Sequence, residues 1–428
     1  MELKKVCVDG YRNVTNTVVD LYDITSILST NNYGKSNLLF SIVFGLSFLQ
    51  QHPKIKFNMM NDSKCMPILK NSYGHPFSFQ IEGVVTHDNR PYFVKYSYKF
   101  AWGNPVTKTQ GEIFSELLQI SENNRDFTTF IKRSGADCFY KSSPKGRCVT
   151  KVEIDGHTLA VNKLSSFDGL FYLEIIKQLL NVNVYIDRHF DTASGYGITF
   201  MSEQELTDLT LKPEMHIPKT LYRFKQDYPD KFALLVNVYK SLFPDVEDLI
   251  VEEVTSRIPR IKIKQGDEIP SFSDKVYLLF VKDKNLKYAI SFDAMSDGAK
   301  RILLLLTFVV LAQLNDYSLI CIEEPENSIN PGLLRSFLFS IKELSEDTKI
   351  LYSSHSPYLI NYMEPSNVFL GIPSKTGEAM FRKIKANTNN IKKLMRTLQD
   401  NNLALGDYLF DLMSGTEADC EELLSYVE

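Results

Sequence analysis

Four short stretches carry residue types that could do phosphate chemistry. In Ser29-Thr30-Asn31-Asn32-Tyr33-Gly34-Lys35-Ser36-Asn37, Gly34, Lys35 and Ser36 form the last turn of a phosphate-binding loop. Such a loop needs free backbone N–H groups, a lysine for the β- and γ-phosphates, a hydroxyl for Mg²⁺ and a helix N-terminus behind them. Asn31, Asn32 and Asn37 complete the candidate cradle. Ser29 stands where the usual G-x-x-x-x-G-K-[ST] pattern has its first glycine, and a plain surface turn is the competing reading. The second stretch, Leu319-Ile320-Cys321-Ile322-Glu323-Glu324-Pro325-Glu326, reads as a buried parallel strand delivering two carboxylates at its C-terminal end, where open α/β sheets place ligands. One carboxylate can hold Mg²⁺ while the next acts as base on a water; a solvated acidic helix start is the plainer alternative.

A third strand, from Lys349, ends at His355 with Pro357 closing the segment, which sets the imidazole where it can touch a γ-phosphate. The fourth stretch, Ala294-Met295-Ser296-Asp297-Gly298-Ala299-Lys300-Arg301, opens a helix over Ile302–Leu314 that is apolar all round and so buried. Ser296 and Gly298 offer a hydroxyl and backbone donors at a positive helix end. An ordinary N-cap accounts for the same residues in isolation.

The surrounding pattern must position these groups. Strands are expected near Val6–Val8, Val18–Leu21 and Ile24–Leu28, then the loop and an apolar helix. Phe77–Phe100 reads as an antiparallel hairpin about the turn His87-Asp88-Asn89-Arg90-Pro91, with Tyr92, Val94, Tyr96, Tyr98 and Phe100 on one face. Between Gly111 and Asp274, helices are expected near Ile113–Ile120, Phe167–Leu180 and Lys219–Phe243, with short strands about Asp155-Gly156. A second alternating pair, Val276–Val281 and Leu286–Phe292, leads into the block that holds the chemistry.

Composition narrows the class. The 428 residues, 44% hydrophobic and 23% charged, describe a folded chain of two or three domains, and no apolar run reaches the ~18 residues of a membrane span. The N-terminus lacks the apolar core of a secretory signal, so a cytoplasmic protein without membrane contact is expected. Six scattered cysteines form no Cys-x-x-Cys pair, and His52, His75, His87, His157, His189 and His216 make no ligand cluster. A net charge of −4 excludes a surface that is basic throughout. Arg382, Lys383, Lys385, Lys392, Lys393 and Arg396 still crowd together, either as a solvated helix face or as a phosphate-backbone contact. The acidic end from Glu417 reads as a docking helix or a frayed terminus.

The order of phosphate loop, Ser-x-Gly helix start, Glu-Glu strand and His strand resembles that of the ATP-binding-cassette ATPases. More narrowly, Gly10-Tyr11-Arg12-Asn13, Ile-Glu-Glu-Pro-Glu and Ser-Ser-His-Ser-Pro are similar to the RecF-like and OLD ATPases, a class that includes ATPase subunits of anti-phage systems such as Septu and PARIS. The resemblance covers residues 1–45 and 285–365. It implies an α/β ABC/RecF-like P-loop ATPase domain with an inserted α+β region. The expected division is an ATPase domain from residues 1–105 and 275–375, a mostly helical insertion at 106–274 and a tail subdomain at 376–428.

Carried over residue by residue, the resemblance implies that Lys35 binds the β/γ-phosphates, with Arg12 and the loop residues beside it. Ser36 and Glu323 hold Mg²⁺, Glu324 polarises water, and His355 senses the γ-phosphate. Ser296 and Gly298 reach the ATP of a second subunit in a homodimer or larger homo-oligomer. Gln80 is a candidate for the glutamine that couples nucleotide to the rest of the chain. The expected function is ATP hydrolysis within an anti-phage defence complex. The short stretch after His355 leaves no room for a nuclease, which points to a separate effector of HNH or Toprim type. A DNA-repair ATPase binding DNA directly and a nucleotide-bound scaffold are the alternatives, so nucleic acid stays open as a partner.

Overall fold

The computed structural model describes residues 1–104, 107–187, 196, 216–255, 275–372, 374–385 and 389–428. In chain order its first elements are β1 (Glu2–Asp9), β2 (Thr17–Asp20), β3 (Ile24–Leu28), α1 (Lys35–Gln50), α2 (Pro53–Met60), β4 (Phe77–His87) and β5 (Arg90–Ala101). There follow β6 (Glu112–Ser121), β7 (Thr128–Ser134), β8 (Asp137–Lys141), β9 (Cys148–Lys151), α3 (Ala160–Leu164), α4 (Leu173–Leu180) and β10 (Asn183–Asp187). The later part holds α5 (Ile217–Asp227), α6 (Pro229–Leu242), β11 (Val246–Thr255), β12 (Lys275–Asp283), β13 (Ile290–Ser291), α7 (Asp297–Leu314), β14 (Tyr317–Glu323) and α8 (Pro331–Ser345). The chain closes with β15 (Lys349–Ser354), α9 (Pro357–Tyr362), β16 (Val368–Gly371), β17 (Phe381–Lys383), α10 (Asn389–Asp400), α11 (Leu405–Ser414) and α12 (Glu417–Ser425).

Two compact units result: Met1–Asp187 with Asp316–Pro325 and Asp347–Glu428, and Arg188–Asn315 with Glu326–Glu346. The first unit contains an antiparallel sheet ordered β2-β1-β4-β5-β6-β7-β8-β9 and a second sheet ordered β10-β14-β15-β3-β16-β17. In the second sheet every neighbouring pair is parallel except β16 with β17. Helix α1 joins the layers. Phe48 stacks on Tyr98 and Phe100 at centroid distances of 5.1 and 4.9 Å, and Phe44 meets Phe77 edge-on at 5.2 Å. Gly45 lets the helix approach β4, because a Cβ there would lie 2.2 Å from the Phe79 ring. The hairpin of β4 and β5 turns on Asp88 and Asn89, both at positive φ (49° and 58°), as a two-residue turn matched to strand twist requires.

Among the described residues, the stretch expected to be mostly helical carries strands as well as helices, with β6 to β9 running from Glu112 to Lys151. The expected helix at Ile113–Ile120 is β6. Lys99 pairs with Ser115 but Phe100 pairs with Ile113, so Phe114 bulges out and shifts the inward phase. Lys219–Phe243 is two helices, broken where Pro229 opens α6. Of Leu286–Phe292 only Ile290–Ser291 is strand. Gln80 lies inside β4 rather than at its end and donates to Glu82 at 2.9 Å. His189 lies outside the described residues.

The tail from Asn389 packs as helices. Ile391, Leu394 and Leu398 are the buried face of α10, while Lys392, Lys393 and Arg396 are exposed, a solvated helix face. Lys383 is bound to Asp20 at 2.9 Å. A capping box of Thr416 and Asp419 starts α12, and the Glu428 N–H donates to the Lys383 carbonyl at 2.8 Å, so the acidic end is docked. In the second unit β11 pairs with β12 and β12 with β13, and α7 is buried from Ala299 to Ala312. Among the described residues no helix is long and apolar enough to cross a membrane.

One buried cation ties α2 to α3. Lys56 is fully buried and its Nζ donates to the Gln51 carbonyl at 2.5 Å and to Asn162 Oδ1 at 2.6 Å. Burial pushes its pKa down from 10.5 to about 8. Because the folded value lies below the unfolded one, the unfolded chain binds more protons between them, and stability rises as pH climbs through that window. Lys56→Met should remove this rise. Urea unfolding below pH ~8 and near pH ~10.5 checks it; a difference between wild type and variant that does not change with pH contradicts the assignment.

Candidate nucleotide site

The register of three adjacent strands builds the site. Glu323 of β14 pairs with Ser353 of β15, and Ser353 and Ser354 pair with Ile27 and Leu28 of β3. The three strands therefore end level. Beyond them lie Glu324, His355 and the loop 29–34. At about 4.8 Å per strand, the carboxylates and the loop stand roughly 10 Å apart across the sheet edge.

The loop is held from several sides. Asn32 and Gly34 take positive φ (58° and 129°), whereas Ser29 does not; the left-handed turn falls on Asn32, and Ser29 enters the loop without needing glycine's freedom. A Cβ on Gly34 would lie 2.8 Å from the Ala379 Cβ and 2.9 Å from Asn13 Oδ1. Asn13 donates to the Tyr33 carbonyl at 2.9 Å and accepts from Asn37 at 2.7 Å, and Arg12 donates to Asn37 Oδ1 at 2.9 Å. The Tyr33 hydroxyl bonds to the Ile372 carbonyl, accepts from the Met380 N–H at 3.0 Å and lies 3.2 Å from the Met380 carbonyl. Gly371 admits the loop, since a Cβ there would sit 2.5 Å from the Ser29 Cβ.

Lys35 is 8% exposed and its ammonium donates to the Ser29 and Thr30 carbonyls at 2.9 and 3.0 Å. Ser36, Asn31 and Asn32 are exposed. Helix α1 begins at Gly34 with no side-chain cap and no acidic residue in its first turn, so its N-terminal N–H groups and positive dipole end suit an anion. These features fit a triphosphate, and a hydroxyl with a carboxylate at the neighbouring strand ends is a hard-oxygen donor set that fits Mg²⁺.

Glu324 stands at φ 47°, a left-handed conformation that costs a non-glycine residue on the order of 1 kcal/mol or more. Its N–H donates to the Ser353 carbonyl at 2.8 Å, which fixes the turn. His355 Nδ1 lies 3.2 Å from Glu324 Oε1, within ion-pair range but not aligned as a hydrogen bond. Ser354 Oγ accepts from the Ser356 N–H at 2.9 Å and shapes the turn that carries the imidazole. The two residues read separately from sequence thus touch.

In the other unit, Ser296 caps α7, accepting from the Ala299 N–H at 3.3 Å, so the ordinary N-cap is present. Gly298 has a packing reason as well, because a Cβ would lie 2.6 Å from the Ser328 carbonyl. Asn330 caps α8 by accepting from the Leu333 N–H at 2.9 Å. Sequence reasoning missed Asn13, Tyr33, Gly371 and Ala379 as shapers of the loop. Only Asn13 carried a signal, standing within Gly10-Tyr11-Arg12-Asn13. Among the described residues no group of three or more His, Cys, Asp or Glu could hold a metal ion.

Sheet order, the loop at 29–34 and the level strand ends describe a mixed α/β fold in which a mostly parallel sheet stands beside an antiparallel one. A family model described as "AAA domain, putative AbiEii toxin, Type IV TA system" matches residues 216–361. No curated protein matches significantly. Among solved structures, an SMC head bound to the C-winged helix domain of ScpA is 12% identical, with 92% of this chain and 100% of that chain covered and a TM-score of 0.47. The SMC head domain from Thermotoga maritima is 10% identical, covering 90% of this chain and all of that one, TM-score 0.41. An SMC head with an extended coiled coil, bound to the C-terminal domain of ScpA derived from Pyrococcus furiosus, is 11% identical over 94% and 99% of the two chains, TM-score 0.43.

Gly34→Ala should cost about 1–3 kcal/mol of stability, since the added methyl meets Asn13 and Ala379 at a strained φ. Chemical denaturation measures this, and an unchanged midpoint and slope would show that the loop relaxes freely.

Proposed function

We propose that this chain is the ATP-hydrolysing subunit of an anti-phage defence complex, a RecF- and OLD-like ATPase that dimerises around ATP and controls a separate effector nuclease through its dimer state. The observation that carries the reading is the level alignment of Glu323 and Glu324, His355 and the Lys35 loop on β14, β15 and β3. The matched family's description speaks of a toxin in a type IV TA system, which supports a setting in which an output is held back until triggered.

In this reading Lys35 leaves the carbonyls of Ser29 and Thr30 for the β- and γ-phosphates, and the first N–H groups of α1 receive them with Asn31 and Asn32. Arg12 and Asn37 keep the loop aligned. Ser36 and Glu323 would hold Mg²⁺, which offsets phosphate charge during transfer. Glu324 takes a proton from the attacking water, and its enforced turn aims the carboxylate before substrate arrives. His355, touching Glu324, reads the γ-phosphate. Ser296 and Gly298 contribute to the nucleotide of a second subunit.

Lys35→Ala should abolish ATP binding. Glu324→Gln should bind ATP yet turn over about a hundredfold more slowly or worse; wild-type turnover in that variant would sink the base assignment. Mixed Lys35→Ala and Ser296→Arg chains should regain part of the activity, because one composite site is then intact. No recovery in dimers shown to exchange subunits would count against ATP shared between protomers. The purified chain should not cut DNA or RNA, and phage protection in cells should need both the neighbouring gene and an intact Lys35. Nuclease activity of the chain alone, lost with chelator and with substitutions outside the ATP site, would replace this reading.

A further inference from the structure

A cavity of about 390 Å³ opens in the first unit, lined by the ends of β4 to β8, the loop after Ser121 and the segment leading into α4. That size falls within the ~300–1,000 Å³ of small-molecule sites. It lies far from the phosphate loop. Ser78 of β4 pairs with Asp9, beside the Gly10–Asn13 turn, whereas His87 at the other end of β4 lines the cavity; the intervening strand spans about 30 Å.

Two features of the lining ask for a ligand. The first is Lys141, only 8% exposed, with Nζ 4.8 Å from the Phe130 ring centroid and 6.0 Å from that of Phe171. It has no hydrogen bond or ion pair to its ammonium among the described residues. Ring faces compensate a cation only in part, so an anion entering the cavity would gain a charge-assisted partner there. The second is an aromatic platform. Phe130, Phe171 and Tyr172 pack at centroid distances of 5.8, 4.9 and 5.0 Å, and Phe171 is 39% exposed. The lining also carries two carboxylates, Glu122 and Asp126, of which Asp126 already accepts from Asn123 at 2.8 Å.

We propose that this cavity is a binding site for a small molecule with a planar ring, an oxyanion for Lys141 and N–H donors for Glu122 and Asp126. Aminated nucleoside monophosphates and aromatic amino acids share that chemistry. The ring lies against Phe171, the phosphate or carboxylate meets the ammonium, and the amino group turns toward the acidic rim.

The test is titration calorimetry on the full chain carrying Lys35→Ala, so that the phosphate loop is silent, with AMP, UMP and L-phenylalanine as probes. At least one should bind with Kd below about 1 mM. AMP above UMP identifies a nucleotide read by its amino group, and L-phenylalanine alone identifies an amino acid. Lys141→Met should weaken binding by about tenfold or more and Phe171→Ala by several-fold. A cooperative thermal transition in Lys141→Met separates lost binding from lost fold; if that variant does not fold, the half-exposed Phe171 decides. Silence from all three probes, or binding unaffected by these substitutions, overturns the proposal. Neither result bears on ATP binding at Lys35.

Discussion

The site depends on one constraint, the parallel register that brings β14, β15 and β3 to a common end. Pairing Glu323 with Ser353, and Ser353 with Ile27, leaves no slack for sliding. Both faces of these strands are buried, so a one-residue slip would exchange them and press each core side chain into a space shaped for another. Since Leu319, Ile322, Leu351 and Ile27 are fully buried, the apolar core enforces the alignment of polar groups that it does not contain. The carboxylates need no dedicated scaffold of their own.

Local geometry then refines what register sets coarsely. Glu324 is turned by a backbone bond to the neighbouring strand, and the carbonyl that accepts this bond belongs to Ser353, two residues before His355. The turn that aims the carboxylate and the turn that carries the imidazole thus share a short piece of chain. On the loop side, Asn32 takes the left-handed conformation, a role asparagine tolerates better than most residues. The missing glycine at position 29 is answered by a neighbour rather than by strain at Ser29.

Much of this was legible in the sequence, and the failures have physical causes. The strand–loop–helix unit around Gly34 was visible because Gly-Lys-Ser sits between a short apolar strand and an apolar helix, and the β4–β5 hairpin because Asp88-Asn89 interrupts an aromatic alternation. Strand β6 was misread as a helix. Its bulge at Phe114 breaks the two-residue period, and the inward position at 116 is a glutamate that accepts from the Ala160 and Val161 N–H groups at 2.6 and 3.0 Å and from Tyr96 at 3.0 Å. Period arguments assume an apolar residue at each inward position, and here a satisfied carboxylate replaces it. The contribution of Tyr33 was invisible for another reason. Its partners at Ile372 and Met380 are more than three hundred residues away, and no local pattern announces them.

That distance has a consequence for how the chain acquires its chemistry. β3 is flanked by β15 and β16, both from the last fifth of the sequence, and the phosphate loop leans on the carbonyls that follow them. During synthesis the loop residues emerge first and wait, without the walls that define their shape, until the residues through Met380 have followed. A nascent or prematurely terminated product carries Gly34, Lys35 and Ser36 in its sequence yet has no cradle to offer. The shape of the loop is therefore written in residues more than three hundred positions away as much as in its own.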